Sequence, residues 1–217
     1  MKTILTLLYG SKYNADDVHR IYNATNGKYN YVCLADEKNA KHLRQEITVI
    51  PLDPELEGHW HKVGLFNING LGDVLYLDLD IVIQGSVDKL FEFCKTPTIC
   101  RTYWKNFGGE YNSSVMAWRG SDTQHIYNTF IENPDYYRVK YIDNDDWFLY
   151  NEKLITSVFP KGLIYSFLFG VDIETDISPR AFQIKPEYPI VLLNGQQETT
   201  ENLRQKYYDA LSMHKMG

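Results

Sequence analysis

Cysteine is scarce in this sequence, with three among 217 residues, and the count is odd. Cys33, Cys94 and Cys100 show no zinc-ligand spacing and cannot all pair within the chain. This excludes a disulfide-framed domain and points to a reducing, cytoplasmic setting. Positive charge is also in short supply: 22 Lys and Arg against 28 Asp and Glu leave a net charge of -6. Such a balance argues against nucleic acid as the main partner, because phosphate-backbone binding needs clustered cations. It also means that an anionic substrate needs a divalent cation to offset repulsion. Long apolar runs are missing as well. Ile4 to Leu8 is too short for a signal-peptide core or a membrane span, so no integral membrane segment is expected. No repeat, low-complexity tract or compositional seam interrupts residues 1–217, which read as one domain, either whole or excised from a longer chain.

What is present is ordinary globular composition, 44% hydrophobic and 23% charged, enough for a sizeable core. Tyrosine is plentiful at 17, beside 4 Trp and 10 Phe. Aromatic faces suit uracil stacking and sugar packing, although most of these rings read as core edges.

Thr3 to Leu8 is a nearly continuous apolar run closed by Tyr9-Gly10-Ser11, the pattern of a strand buried on both faces. Asn14 is placed to cap a helix with Asp16 and Asp17 in its first turn and Val18, Ile21 and Tyr22 on its apolar stripe. Tyr29 to Leu34 and Ile47 to Ile50 read as further strands, separated by a short helix at Ala40 to Gln45. The alternation predicts an open, mostly parallel sheet flanked by helices, with ligands at the carboxyl ends of the strands. A helix over Trp60 to Ile68 leads into the run Val74 to Ile83. Beyond it the pattern gives a short helix at Val87 to Cys94, strands at Thr98 to Thr102 and Ser114 to Trp118, and helices at Thr123 to Glu132 and Asp145 to Lys153. Strand candidates at Gly162 to Phe169 and Ile190 to Leu193 then precede a last helix over Thr200 to Met213.

The run Val74 to Ile83 carries Asp78-Leu79-Asp80. Period-two geometry turns both carboxylates to the same side at the end of a buried strand. At 4 Å, two ionised carboxylates repel by roughly 1 kcal/mol in water and roughly 4 at an effective dielectric near 20, so a cation is their natural partner. Magnesium or manganese typically takes one or two carboxylates plus substrate phosphates.

Leu75-Tyr76-Leu77-Asp78-Leu79-Asp80, followed by Ile81-Val82-Ile83-Gln84-Gly85-Ser86-Val87-Asp88-Lys89-Leu90, resembles the signature strand of the GT-A fold glycosyltransferases. The likeness is to family 8-like members and their viral and bacterial cousins, chlorella-virus enzymes among them, and it covers most of the chain. It implies an α/β GT-A fold, with residues 1–83 as the nucleotide-binding half and 84–217 as the acceptor-side half. It also implies a nucleotide-sugar donor, by default UDP-glucose, a glycan acceptor and Mn2+ or Mg2+. Within it, Thr6, Leu8, Tyr9 and Tyr13 fall where uracil and ribose are cradled, and Asp36 falls at a base contact. Lys62 faces the diphosphate or sugar, and Asp78 with Leu79 the donor. Asp78 and Asp80 hold the metal, with Asn194 standing where relatives place a ligating histidine; His214 is the other candidate third ligand. His59 and His61, two apart on a helix, face different ways and are set aside as ligands. Asn112 lies in Tyr111-Asn112-Ser113-Ser114-Val115, similar to a family stretch with Gly in place of Ser114. Asp143-Asn144-Asp145-Asp146 places Asp145 and Asp146 where the family has Asp-Gln. Those two either cap a helix or bind sugar and acceptor hydroxyls.

The resemblance favours a retaining reaction, and an inverting one would make Asp145 or Asp146 the base. Two rivals remain at this level. A sugar-nucleotide pyrophosphorylase needs a Gly-rich basic loop after the first strand, where this chain has one Gly and one Lys. A non-catalytic carbohydrate-binding relative fits the tyrosines and the absent histidine.

Overall fold

The computed structural model describes residues 1–104, 110–142, 144–172, 182–194 and 199–216. Asp143, part of the quoted stretch Asp143-Asn144-Asp145-Asp146, lies outside them. The chain begins with β1 (Lys2–Leu8), α1 (Ala15–Ala24), β2 (Asn30–Ala35), α2 (Glu37–Ala40) and β3 (Thr48–Pro51). A 3-10 turn at Gly58–Trp60 runs into α3 (His61–Gly64), followed by β4 (Asp73–Leu77) and β5 (Ile81–Ile83). After a 3-10 segment at Asp88–Lys95 come β6 (Thr98–Arg101), β7 (Tyr111–Arg119), α4 (Gln124–Glu132), α5 (Pro134–Tyr141) and α6 (Asp145–Asn151). The remainder is β8 (Ser157–Val158), β9 (Ile164–Ser166), β10 (Ile190–Leu192) and α7 (Thr200–Met216).

The main sheet has the order β3-β2-β1-β4-β7-β6-β8. Its first four strands run parallel, β7 is antiparallel to both β4 and β6, and β8 is parallel to β6. Both faces are apolar. Ile4, Leu8, Cys33, Leu75 and Leu77 pack on one side with Val18 and Ile21 of α1. Leu5, Leu7, Val32, Val74 and Tyr76 pack on the other with Trp60, Ile126, Phe130 and Phe148. This is the double burial that the unbroken apolar runs implied. A smaller sheet, β5-β10-β9, packs through Val82, Tyr165 and Val191 against Leu203 and Tyr207 of α7.

Several elements differ from the sequence reading: β8 was not expected, the helix read over Trp60 to Ile68 is 3-10 on either side of α3, and the one read over Val87 to Cys94 is 3-10. The run Val74 to Ile83 is not one strand. β4 ends at Leu77, a turn follows at residues 79–80, and β5 joins the second sheet. Asp78 N–H still bonds to Ser114 O at 2.8 Å, whereas the Asp80 carbonyl accepts from Leu193 N–H at 2.8 Å and so hands the chain to β10. The short helix expected at Ala40 to Gln45 starts earlier, because Asp36 caps it by accepting from Asn39 N–H. α5 was not anticipated, although Asn133 caps it and Pro134 opens it, a recognisable start signal.

The helices carrying the sites of interest meet on one aromatic cluster. Trp60, fully buried just before α3, stacks on Phe130 at 4.5 Å between centroids and meets Phe148 of α6 edge-on at 5.8 Å. Trp60→Ala empties this junction and is expected to cost about 3–5 kcal/mol. Urea unfolding of the variant measures it, and a midpoint unchanged from wild type would show that α3 and α6 are held by something else.

Candidate active site

At the carboxyl ends of β1 and β4 lies a cleft of about 550 Å3. It is lined by the loop Tyr9 to Tyr13, by His59 and Lys62 near α3, by the turn Asp78 to Asp80, by Asn112 to Ser114 of β7 and by Asn144 to Asp146 at the start of α6. Both halves of the chain therefore contribute to it. Among the described residues its walls hold four carboxylates, Asp78, Asp80, Asp145 and Asp146, against two lysines, Lys12 and Lys62.

Lys62 stands at the centre. Its Nζ donates to Asp78 Oδ2 at 2.9 Å and Ser113 Oγ at 2.8 Å, and lies 3.9 Å from Asp145 Oδ2. Burial alone would depress the Lys62 pKa, but Asp78, Asp145 and Asp146 outweigh it and hold the ammonium well above its usual range. Asp78 also accepts from Tyr76 OH, and burial together with Asp78 keeps that phenol protonated. Asp80 has a looser first shell, accepting from Tyr13 OH at 3.1 Å. Burial and the neighbouring Asp78 push its pKa up.

The opposite wall is built by the first turn of α6. Asn144 caps the helix by accepting from Trp147 N–H, so the acidic residues serve its N-terminus as well as the cleft. Asp146 accepts from Ser113 N–H at 2.6 Å, while Asp145 Oδ2 is buried without a hydrogen-bond partner among the described residues. Burial and then Asp145 raise the Asp146 pKa, with Lys62 and Ser113 opposing.

The remaining predicted residues are placed less uniformly. Tyr9 and Tyr13 line the cleft. Tyr9 meets His61 edge-on at 5.0 Å, while His59 faces the cavity, so the two histidines do occupy different surroundings. Thr6 and Leu8 are fully buried in β1 and do not line the cleft; Leu7, of opposite alternation, does. Asp36 is also not part of the lining. It accepts from Gly10 N–H at 2.8 Å and so fixes the loop, Gly10 taking φ +67°. Burial opposes its ionisation, but the amides of Asn39 and Gly10 outweigh that and lower its pKa. Asn112 lines the cleft and accepts from Ser114 N–H at 3.2 Å. Ser114 itself is accommodated with its carbonyl bonded to Asp78 N–H. Asn194 follows β10 beside the Asp80 backbone, but its Oδ1 accepts from Ser166 Oγ at 2.7 Å. His214 is exposed near the far end of α7, roughly 21 Å along the helix from Thr200 at 1.5 Å per residue. Tyr76, Ser113 and Lys12 were not singled out from the sequence. Tyr76 was findable, being two residues before Asp78 on the same face of its strand.

No family model matches the chain, and no curated protein matches it in sequence. Solved structures do match. A galactosyltransferase, LgtC, determined with donor and acceptor sugar analogues, superposes with a TM-score of 0.65 at 15% identity, over 95% of each chain. The glycosyltransferase GlyE of Streptococcus pneumoniae gives 0.68 at 14% identity, over 98% of this chain and 63% of its own. The chain has the GT-A glycosyltransferase fold.

GT-A enzymes often employ a divalent metal, and the donor set here suits one. Asp78 and Asp80 offer hard oxygen ligands, and four carboxylates against two lysines leave the cleft short of positive charge. Among the described residues no group of three His, Cys, Asp or Glu side chains forms a metal site. Magnesium or manganese held by one or two carboxylates typically shares its other positions with substrate phosphates and water.

Because the Asp146 pKa is raised on folding, the native state holds that proton to higher pH than the unfolded chain does. Its ionisation subtracts from stability as pH climbs from the ordinary carboxylate range to about 7, and the penalty is absent below that window. Asp146→Asn keeps the acceptor for Ser113 and is expected to gain roughly 1–2 kcal/mol over wild type at pH 8 and nothing at pH 4. Melting curves at the two pH values measure this; equal differences at both would contradict it.

Proposed function

We propose that the chain is a metal-dependent glycosyltransferase that moves a sugar from a UDP-sugar, by default UDP-glucose, to a hydroxyl of a glycan acceptor. The observation that carries this reading is the convergence of Asp78 and Asp80 with Lys62 and the Asp145-Asp146 pair around one cleft of a GT-A sheet. Tyr9 and Tyr13, on the loop after β1, offer aromatic faces for the uracil. Asp78 and Asp80 would hold Mn2+ or Mg2+, which when bound supplies Lewis-acid neutralisation of charge on the departing diphosphate.

The protein's own groups have separable tasks. Lys62, kept charged by three carboxylates, is placed to stabilise negative charge on the leaving group as it develops. Asp145 Oδ2, 3.9 Å from Lys62 Nζ and without a hydrogen-bond partner among the described residues, is placed to accept from a sugar hydroxyl. Asp146, held by Ser113 N–H, orients that wall beside Asn112. Retention of configuration is the reading favoured by the family 8-like resemblance, and transfer with inversion would assign Asp145 or Asp146 as base. Three buried, unpaired cysteines support a reducing, cytoplasmic setting, and no helix among the described residues is long and apolar enough to cross a membrane.

The decisive assay is hydrolysis of a panel of nucleotide sugars with manganese or with chelator, beside Asp80→Ala. UDP release that needs the metal and falls by about 100-fold or more in the variant is expected, the scale of losing a principal electrostatic contact. If no donor turns over and UDP with manganese leaves the melting temperature unchanged, the transferase reading fails and a carbohydrate-binding protein becomes the better account.

A further inference from the structure

The turn that carries Asp80 is gripped from behind by an arginine that lies outside the cleft lining. Arg20 of α1 donates through Nη2 to Leu79 O at 2.7 Å and through Nη1 to Ile81 O at 2.8 Å. The intervening carbonyl, Asp80 O, accepts from Leu193 N–H at 2.8 Å. Three consecutive carbonyls, those of the turn residues Leu79 and Asp80 and of Ile81 at the start of β5, are thus fixed from two directions. Arg20 is itself held in place: Asp17 Oδ1 lies 3.4 Å from its Nη2 and accepts from Arg204 of α7 at 2.8 Å. A second route from α7 reaches the Asp80 side chain, where Tyr13 OH bonds to Asp80 Oδ2 and lies 3.4 Å from Thr200 Oγ1.

Without this grip the turn has reason to move. Asp78 and Asp80 repel each other, and Asp78 is tied to Lys62 and Tyr76, so relaxation would fall on Asp80. A planar guanidinium can span two carbonyls at once, whereas an ammonium is a point donor on a flexible stem.

We propose that Arg20 is a positioning residue that fixes Asp80 for the metal and diphosphate, with Asp17 and Arg204 coupling its orientation to the docking of α7. The metal half of this inference rests on the transferase reading above; the rigidity half does not. The test compares wild type with Arg20→Lys and Arg20→Gln in two measurements. Calorimetry of UDP with manganese is expected to show affinity weakened by about 10- to 100-fold in both variants, while UDP with chelator binds as in wild type. Deuterium exchange on the metal-free protein is expected to show faster exchange across residues 79–83, with amides of β1 unchanged. Arg20→Lys keeps the charge and guards against misfolding of the glutamine variant. Wild-type binding and wild-type exchange in Arg20→Lys would overturn the proposal, as would equal loss of UDP binding with and without metal. If wild type itself binds no UDP with manganese, the transferase reading has failed, and the exchange of residues 79–83 alone decides whether Arg20 fixes the turn.

Discussion

Everything at the cleft depends on one buried cation. Lys62 touches both the β4 end and the α6 wall, pairing Asp78, approaching Asp145 and donating to Ser113, which in turn holds Asp146. Four carboxylates around one cavity are a costly assembly, since each pair repels and each has lost part of its water. Lys62, with Lys12 beside Asp80, offsets part of that cost, and burial with the remaining repulsion raises the pKa values of Asp80 and Asp146. The site is thus built to accept further positive charge, which is the condition for recruiting a divalent cation with an anionic substrate.

The packing beneath serves this electrostatic arrangement. Trp60 stacks where α3, α4 and α6 meet, so the backbone carrying Lys62 and that carrying Asp145 rest on the same buried rings. On the other side, β5 and β10 draw the chain away after Asp80, and α7 packs on that second sheet. Asp78 and Asp80 consequently belong to different mechanical units. Asp78 is bonded through its amide to β7, Asp80 through its carbonyl to the residue after β10. Their relation is set by the joint between the two sheets.

Most of the first half was legible because its signals are local and mutually consistent. The apolar runs gave β1 and β2, and the Asn14 cap with Asp17 gave α1, since these depend on period and on side chains within a turn of one another. Asp78, Asp80, Lys62, Tyr9, Tyr13, Asn112, Asp145 and Asp146 do share one cleft. Thr6 and Leu8 were chosen on the same strand as Leu7 but point into the core, a choice that alternation alone leaves open when both faces of a sheet are apolar. Ser113 and Arg20 left no such trace, because their partners lie 51 and about 60 residues away: Ser113 bonds to Lys62, and Arg20 to the carbonyls of Leu79 and Ile81.

The sequence by itself determined the strand and helix alternation, the mostly parallel sheet and the presence of the Asp78 and Asp80 carboxylate pair, all consequences of residue type at short range. Tertiary structure decided that the Asp-Leu-Asp segment is a turn between two sheets, that Asp36 braces Gly10 beside the cleft, and that His214 lies at the wrong end of its helix. It also decided that an arginine from α1 holds the Asp80 backbone. These are questions of which distant groups meet, and a backbone carbonyl or a helix direction carries no side-chain signature from which such a meeting can be read.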